Sequence, residues 1–172
     1  MPGLSRISRG KYGIELRGIA ELTRQLARDG EVWKRVQQAA VRGMTENTED
    51  LLGRAMRDAP VDEGTLRASG SAAVYANGKR VSSAGSVVML AMGSPEDHTN
   101  LVVGQRKVFE GGLGDAVVGE VGFNTPYALV QHERLDFNHP KGGKAKYLQE
   151  NLQDQAGRYQ GNLADHLRGA LK

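Results

Sequence analysis

A long amphipathic run that stops abruptly at Ala59-Pro60 constrains this chain more than any other feature. From Glu31 to Ala59, the positions Val32, Val36, Ala40, Met44, Thr48, Leu51, Ala55 and Ala59 recur at steps of three and four. They therefore share one face of a helix, which Trp33, Leu52 and Met56 widen. At 1.5 Å per residue the helix is about 43 Å long, more than one small sheet needs for cover, so part of it is expected to project or to meet a neighbour. Pro60 has no N–H to continue the ladder and biases Ala59 away from the α region. Asp62 supplies a side-chain acceptor and Gly64 a permissive backbone, so a tight turn follows, and Leu66 points back toward a core.

The flanks take their character from their own periodicities. A basic arm, residues 1–17, precedes helices over 18–59, the first being a short one from Gly18 to Asp29 on Ile19, Leu22 and Leu26. From 60 to 124 the pattern changes to short β-like runs between Gly, Ser and Asn clusters, and about four strands are expected. These are Ala72 to Tyr75, a continuously apolar Ser86 to Met92, Leu101 to Val103 extending toward Phe109, and a half-exposed strand with Val117, Val121 and Phe123 on one side. Residues 93–100 and a basic, glycine-containing stretch within 134–146 read as polar loops expected to be flexible in the isolated chain, the second falling largely in a loop assigned to 125–144. Over 145–172, Ala145, Leu148, Leu152, Ala156, Tyr159, Leu163, Leu167 and Leu171 mark a C-terminal amphipathic helix. Gly157, Gly161 and Gly169 make it marginal alone, so it should owe its order to docking. The expected fold is α+β: N-terminal helices, one of them long, a mainly antiparallel sheet and a C-terminal amphipathic helix packed on it.

A chain of 172 residues suffices for one domain that buries roughly 70% of its unfolded surface. Cysteine is absent, which removes disulfides, thiolate nucleophiles and cysteine metal ligands together. No apolar run approaches signal-peptide or membrane-spanning length, so a protein that is cytosolic at synthesis is expected, with no membrane partner. Net charge is only +3, but Arg6, Arg9 and Lys11 stand in an acid-free start while Glu46, Glu49, Asp50, Asp58, Asp62 and Glu63 crowd the end of the long helix. Such separation suits head-to-tail contact between copies, although solvated charge faces are the commoner reason for it.

Chemistry is thinly represented. His132-Glu133 begins like the zinc-protease pattern, which needs a second imidazole four residues on, but Asp136 occupies that place and the next histidine is His139, followed by Pro140. His132, Glu133 and His139 are the weak metal-ligand candidates. Gly111-Gly112-Leu113-Gly114 lacks the Gly-Lys-Ser or Gly-Lys-Thr end of a phosphate loop, and no serine sits in a nucleophile elbow. No catalytic residue and no cofactor are expected. Basic residues could touch phosphates without reading sequence, yet five tyrosines, three phenylalanines and one tryptophan provide few stacking platforms, and none punctuates the basic runs.

Four stretches together make the chain resemble the small neck proteins of tailed bacteriophages, the head-tail joining or tail-completion family. They are Gly13-Ile14-Glu15-Leu16-Arg17-Gly18 before the helices, the turn Ala59-Pro60-Val61-Asp62 with Gly64-Thr65-Leu66-Arg67-Ala68-Ser69, then Thr125-Pro126-Tyr127-Ala128, and Gly142-Gly143-Lys144-Ala145-Lys146-Tyr147-Leu148. Glu63 stands where the family usually has threonine, and His132-Glu133-Arg134-Leu135 where many members have a Glu-aromatic-Gly run. The resemblance implies a structural virion protein, present in the host cytoplasm during assembly. It would form a closed ring, expected to be hexameric, between head and tail, touch other neck and tail proteins, and surround the passing DNA without reading it. Interface candidates are then Arg6, Arg9, Lys11, Trp33, Pro60, Asp62, Gly64, Arg67, Tyr127, Lys141, Lys144, Lys146 and Tyr147. The alternatives are a small DNA-binding accessory protein, with the arm and the 134–146 loop as one basic patch, and a metal-dependent hydrolase in which His132, Glu133 and His139 converge.

Overall fold

The computed structural model describes residues 30–61, 64–77, 79–85, 101–103 and 117–172. The basic arm, the short helix expected from Gly18 to Asp29, Asp62, the strand expected at Ser86 to Met92 and the 93–100 loop lie outside the described residues. Helix α1 spans Gly30–Asp58 without a break, as the apolar stripe requires, and buries Val36, Ala40, Met44, Thr48, Leu51, Leu52 and Ala55. Its first turns, including Val32 and Trp33, are only half-buried. A single turn of helix, α2 (Thr65–Ala68), follows the Pro60 turn and brings Leu66 into the core.

Three seven-residue strands carry the sheet, where about four were expected: β1 (Gly70–Ala76), β2 (Lys79–Gly85) and β4 (Val117–Phe123). A three-residue segment, β3 (Leu101–Val103), adds to the outer side of β4, so the spatial order is β2-β1-β4-β3, all antiparallel. The sequence reading passed over β2, because its serines, glycine and single large apolar residue carry no alternating signal. Its order comes from backbone pairing to β1 through a turn in which Asn77 takes φ 53°. Two short helical or turn segments replace most of what was expected to be loop over 125–144: α3 (Ala128–Glu133), then a turn-rich connection into α4 (Gln149–Ala170), four residues later than the expected start.

Helices α1 and α4 lie antiparallel, side by side, over one face of the sheet. Leu152 and Tyr159 of α4 join a cluster with Leu51, Leu52, Val121, Phe123, Tyr147 and Leu148. Leu163 joins a second one with Ala40, Met44, Val74 and Val117. Polar contacts fix the register: Asn47, buried in mid-α1, donates to the Tyr159 carbonyl at 2.9 Å and its amide oxygen accepts from Asn162 at 2.9 Å. Asp50 accepts from Tyr159 at 2.8 Å and Arg54 at 2.7 Å and pairs with Arg158, while Glu46 meets His166 at 2.9 Å. Burial opposes ionisation of Asp50, but the hydrogen bonds from Arg54 and Tyr159 outweigh it and hold the carboxyl below its usual range. Three of the acids in that charge-separated stretch, Glu46, Asp50 and Asp58, thus have partners within their own chain.

Candidate interface site

Three of the four stretches that carry the family resemblance come together where α1 stops, and the fourth, Gly13 to Gly18, lies outside the described residues. Beyond Asp58 the helix leaves carbonyls without intrahelical partners. Arg67 reaches back to two of them, donating Nε–H to the Ala59 carbonyl at 2.9 Å and an η-nitrogen to that of Arg57 at 2.6 Å. The 134–146 segment supplies a third donor, Lys144 N–H to the Asp58 carbonyl at 2.9 Å, and accepts one bond in return, from Val61 N–H to the Gly142 carbonyl at 3.1 Å. Gly143 permits this approach, since a Cβ there, at φ +97°, would stand 2.4 Å from Pro60 Cα. The expectation of a flexible 134–146 loop therefore meets a segment fastened by backbone hydrogen bonds at both ends, Arg134 N–H donating to the Val130 carbonyl at 3.0 Å at its start and Lys146 N–H to the His132 carbonyl at 2.8 Å at its close.

His132 lies wholly buried in α3, edge-on to Tyr147 with ring centroids 5.0 Å apart, and Tyr147 is in turn edge-on to Phe123 at 5.0 Å. Its Nε2 accepts the Gln149 N–H at 3.3 Å, so Nδ1 carries the proton and donates to Glu133 Oε1 at 2.8 Å. The imidazole thereby satisfies an orphan N–H at the start of α4, whose N-cap, Leu148, has no side chain that could. Burial disfavours the imidazolium and lowers the His132 pKa, against the pull of Glu133. Glu133 is opposed by burial as well, but its hydrogen bonds from Lys146 and His132 hold it below the ordinary carboxylate range. His139 belongs to a separate turn, and among the described residues no three His, Asp or Glu side chains gather as metal ligands. The three weak metal candidates do not form one site: His132 and Glu133 are wired into the base of α3 and α4.

The basic loop is largely neutralised by its own surroundings. Lys144 pairs with Glu150 at 2.9 Å and Asp58 at 3.4 Å, Lys146 pairs with Glu133, and Arg134 pairs with Asp136 at 2.6 Å, holding that carboxyl down at about 2. Of the interface candidates, Pro60 and Tyr147 are buried within the chain's own fold and Arg67 is committed to the end of α1. Arg6, Arg9, Lys11 and Asp62 lie outside the described residues. Trp33 is half-buried on α1, well away in sequence from this end. Gly64, Tyr127 and Lys141 are brought together, because all three line a cleft of about 580 Å³ between the Pro60–Leu66 turn and the 138–141 turn.

Sequence reasoning named Tyr127 but missed the apolar surface around it. In α3, Ala128 and His132 face inward, which turns Leu129 and Val130 to solvent at 42% and 45% exposure. Tyr127 at 42% and Leu135 at 76% extend them into one apolar ridge beside the cleft. An apolar-polar count over 127–135 would have shown more apolar residues than a six-residue helix can bury. Two buried polar atoms of residues lining the cleft, Gln131 Oε1 and His139 Nε2, have no hydrogen-bond partner. A ridge of large apolar side chains on a hydrogen-bonded base can exclude water from a contact with another protein. Searches against protein-family models, curated protein sequences and solved structures return no match. Among the described residues no helix is long and apolar enough to cross a membrane.

Proposed function

We propose that this chain is a structural neck protein of a tailed bacteriophage, a subunit that assembles into a ring at the head-tail junction around the DNA passage. The observation that carries the reading is the ridge of Tyr127, Leu129, Val130 and Leu135, held rigidly by the His132–Glu133–Lys146 contacts at the place where the resemblance residues Pro60, Gly64, Tyr127 and Gly143 meet. Such a surface favours association, and the pairing of Arg134, Lys144 and Lys146 with carboxylates leaves the 134–146 segment a poor phosphate-binding patch. The proposed mechanism is interface formation: rings complete the joint, and the residues act by contact and without a cofactor.

The test is solution mass and electron microscopy of the purified protein, together with a joining assay using separately prepared heads and tails. Parent protein is expected to form rings and restore joined particles. Leu129→Glu with Val130→Glu, which leaves the buried face of α3 untouched, is expected to give a folded monomer that joins nothing. Joined particles from the double variant, or a parent protein that neither associates nor restores joining, would overturn the proposal.

A further inference from the structure

The imidazole beneath the apolar ridge is housed so that its neutral form fits and its charged form does not. His132 Nδ1 donates to Glu133 Oε1 at 2.8 Å and Nε2 accepts the Gln149 N–H at 3.3 Å. A second proton has to enter on Nε2, against an amide hydrogen that already points there. The charged groups facing the ring come from three elements, and each has another partner. Glu133 of α3 is shared with Lys146 of the connection, and Glu150 of α4 is paired with Lys144. Tyr147 packs against the ring, and His132 has no exposed surface through which water could solvate a cation.

What the imidazole fastens is a lightly packed piece of the fold. Ala128 and His132 are the buried residues of α3, and among the described residues no helix or strand packs extensively along it. It is tied instead to the connection before α4. The Tyr147 hydroxyl donates to the Ala128 carbonyl at 3.3 Å, Lys146 N–H to the His132 carbonyl at 2.8 Å, and Lys146 Nζ to Glu133. Helix α1, by contrast, contributes to both apolar clusters. Segments with few buried apolar contacts open at a lower free energy than the body of a fold. We propose that His132 is a proton-operated latch: acid frees α3 from its seat against the start of α4 while α1, the sheet and the body of α4 stay folded, and so withdraws the Leu129–Val130 ridge as a binding surface. Selective protonation drives the opening. In the open form the imidazole meets water and takes its proton at the ordinary value of 6.5, whereas burial holds the closed form lower against the pull of Glu133. Glu133 itself is held below the ordinary carboxylate range and keeps its charge in this window. The latch is a property of one chain and stands whether or not copies form a ring.

Amide hydrogen exchange of the full chain, followed residue by residue by NMR and corrected for the intrinsic effect of pH on exchange, tests this directly. The reporters are the N–H groups of Arg134, Lys146 and Gln149, whose acceptors are the Val130 carbonyl, the His132 carbonyl and His132 Nε2. At every pH they are expected to be less protected than core amides of α1, which marks the opening as local. From about pH 7 to about pH 5 their opening is expected to increase by up to about 25-fold, the factor by which protonation at 6.5 favours an exposed imidazole. His132→Gln keeps an acceptor for Gln149 and a donor for Glu133 but takes no proton, and its reporters are expected to hold the same protection at both pH values. His98, His139 and His166 remain in that variant, so the difference between the two proteins belongs to His132. Should the variant not fold, the profile of the parent decides alone. Parent reporters as protected at about pH 5 as at about pH 7, reporters that exchange at the same rate as the α1 core, or an equal response in His132→Gln would each overturn the proposal.

Discussion

Gly119→Ala is the substitution on which opposing local and tertiary effects can be weighed most cleanly. Gly119 sits in the middle of β4 opposite Val74, on the face covered by α1. Local preference favours the change, since alanine in a strand gains roughly 0.5–1 kcal/mol over glycine. Packing opposes it, because the added methyl would stand 2.3 Å from Thr48 Cγ2, 2.9 Å from Met44 Sδ and 3.1 Å from Met44 Cγ, against about 3.5–4.0 Å for a comfortable contact. Met44 has flexible torsions with which to retreat. Thr48 does not: it is buried, and its Oγ1 donates to the carbonyls of Met44 and Thr45, each at 3.0 Å, which fixes where its methyl points. Overpacking of this kind costs about 1–3 kcal/mol, and so large an overlap belongs at the upper end. The net expectation is a loss of about 2 kcal/mol, or a Tm lower by about 4–8 °C for a chain of this size. Thr48→Ser removes the obstructing methyl and keeps the hydroxyl, at a cost of about 1 kcal/mol. Urea denaturation followed by circular dichroism should then show the double variant at least about 1 kcal/mol more stable than the sum of the single losses predicts. A Gly119→Ala protein as stable as its parent, or losses that simply add, would refute the argument that the glycine exists to let α1 approach β4.

Two further measurements probe the base of the site and the outer surface of α4. Because burial lowers the His132 pKa from 6.5, the unfolded chain binds a proton that the folded chain refuses in the window between the two values. Stability is therefore whole above pH 6.5 and falls as the pH drops toward the folded value, by up to about 1.4 kcal/mol per pH unit. His132→Gln retains an acceptor for the Gln149 N–H and should show a shallower loss between about pH 7 and about pH 5, and equal slopes in the two proteins would count against the imidazole as the responsible group. Gly157→Ala places a methyl on an exposed helical position with nothing within 4 Å, so it is expected to stabilise the fold by about 0.5–1 kcal/mol, and a fall in Tm would show that this surface is not open as described.

The course of α1, its stop at Pro60 and the buried face of α4 were all legible in the sequence, because each depends on residues three or four apart and on one residue that cannot continue a helix. The same locality gave β1 and β4 their places. What the tertiary structure alone decided were the partners of polar groups. Arg67 was named an interface candidate and instead closes the end of α1. His132 and Glu133 read as half of a metal motif and instead satisfy and brace the first turn of α4. Those outcomes turn on groups seventeen residues apart for His132 and Gln149, thirteen for Glu133 and Lys146, and across a turn for Arg67, and nothing periodic in the chain records them. The cleft lined by Gly64, Tyr127 and Lys141 was invisible for the same reason. Hydrophobic periodicity is a property of neighbours along the chain, whereas register, close approach and the surfaces left over for a partner are set only when distant segments are packed together.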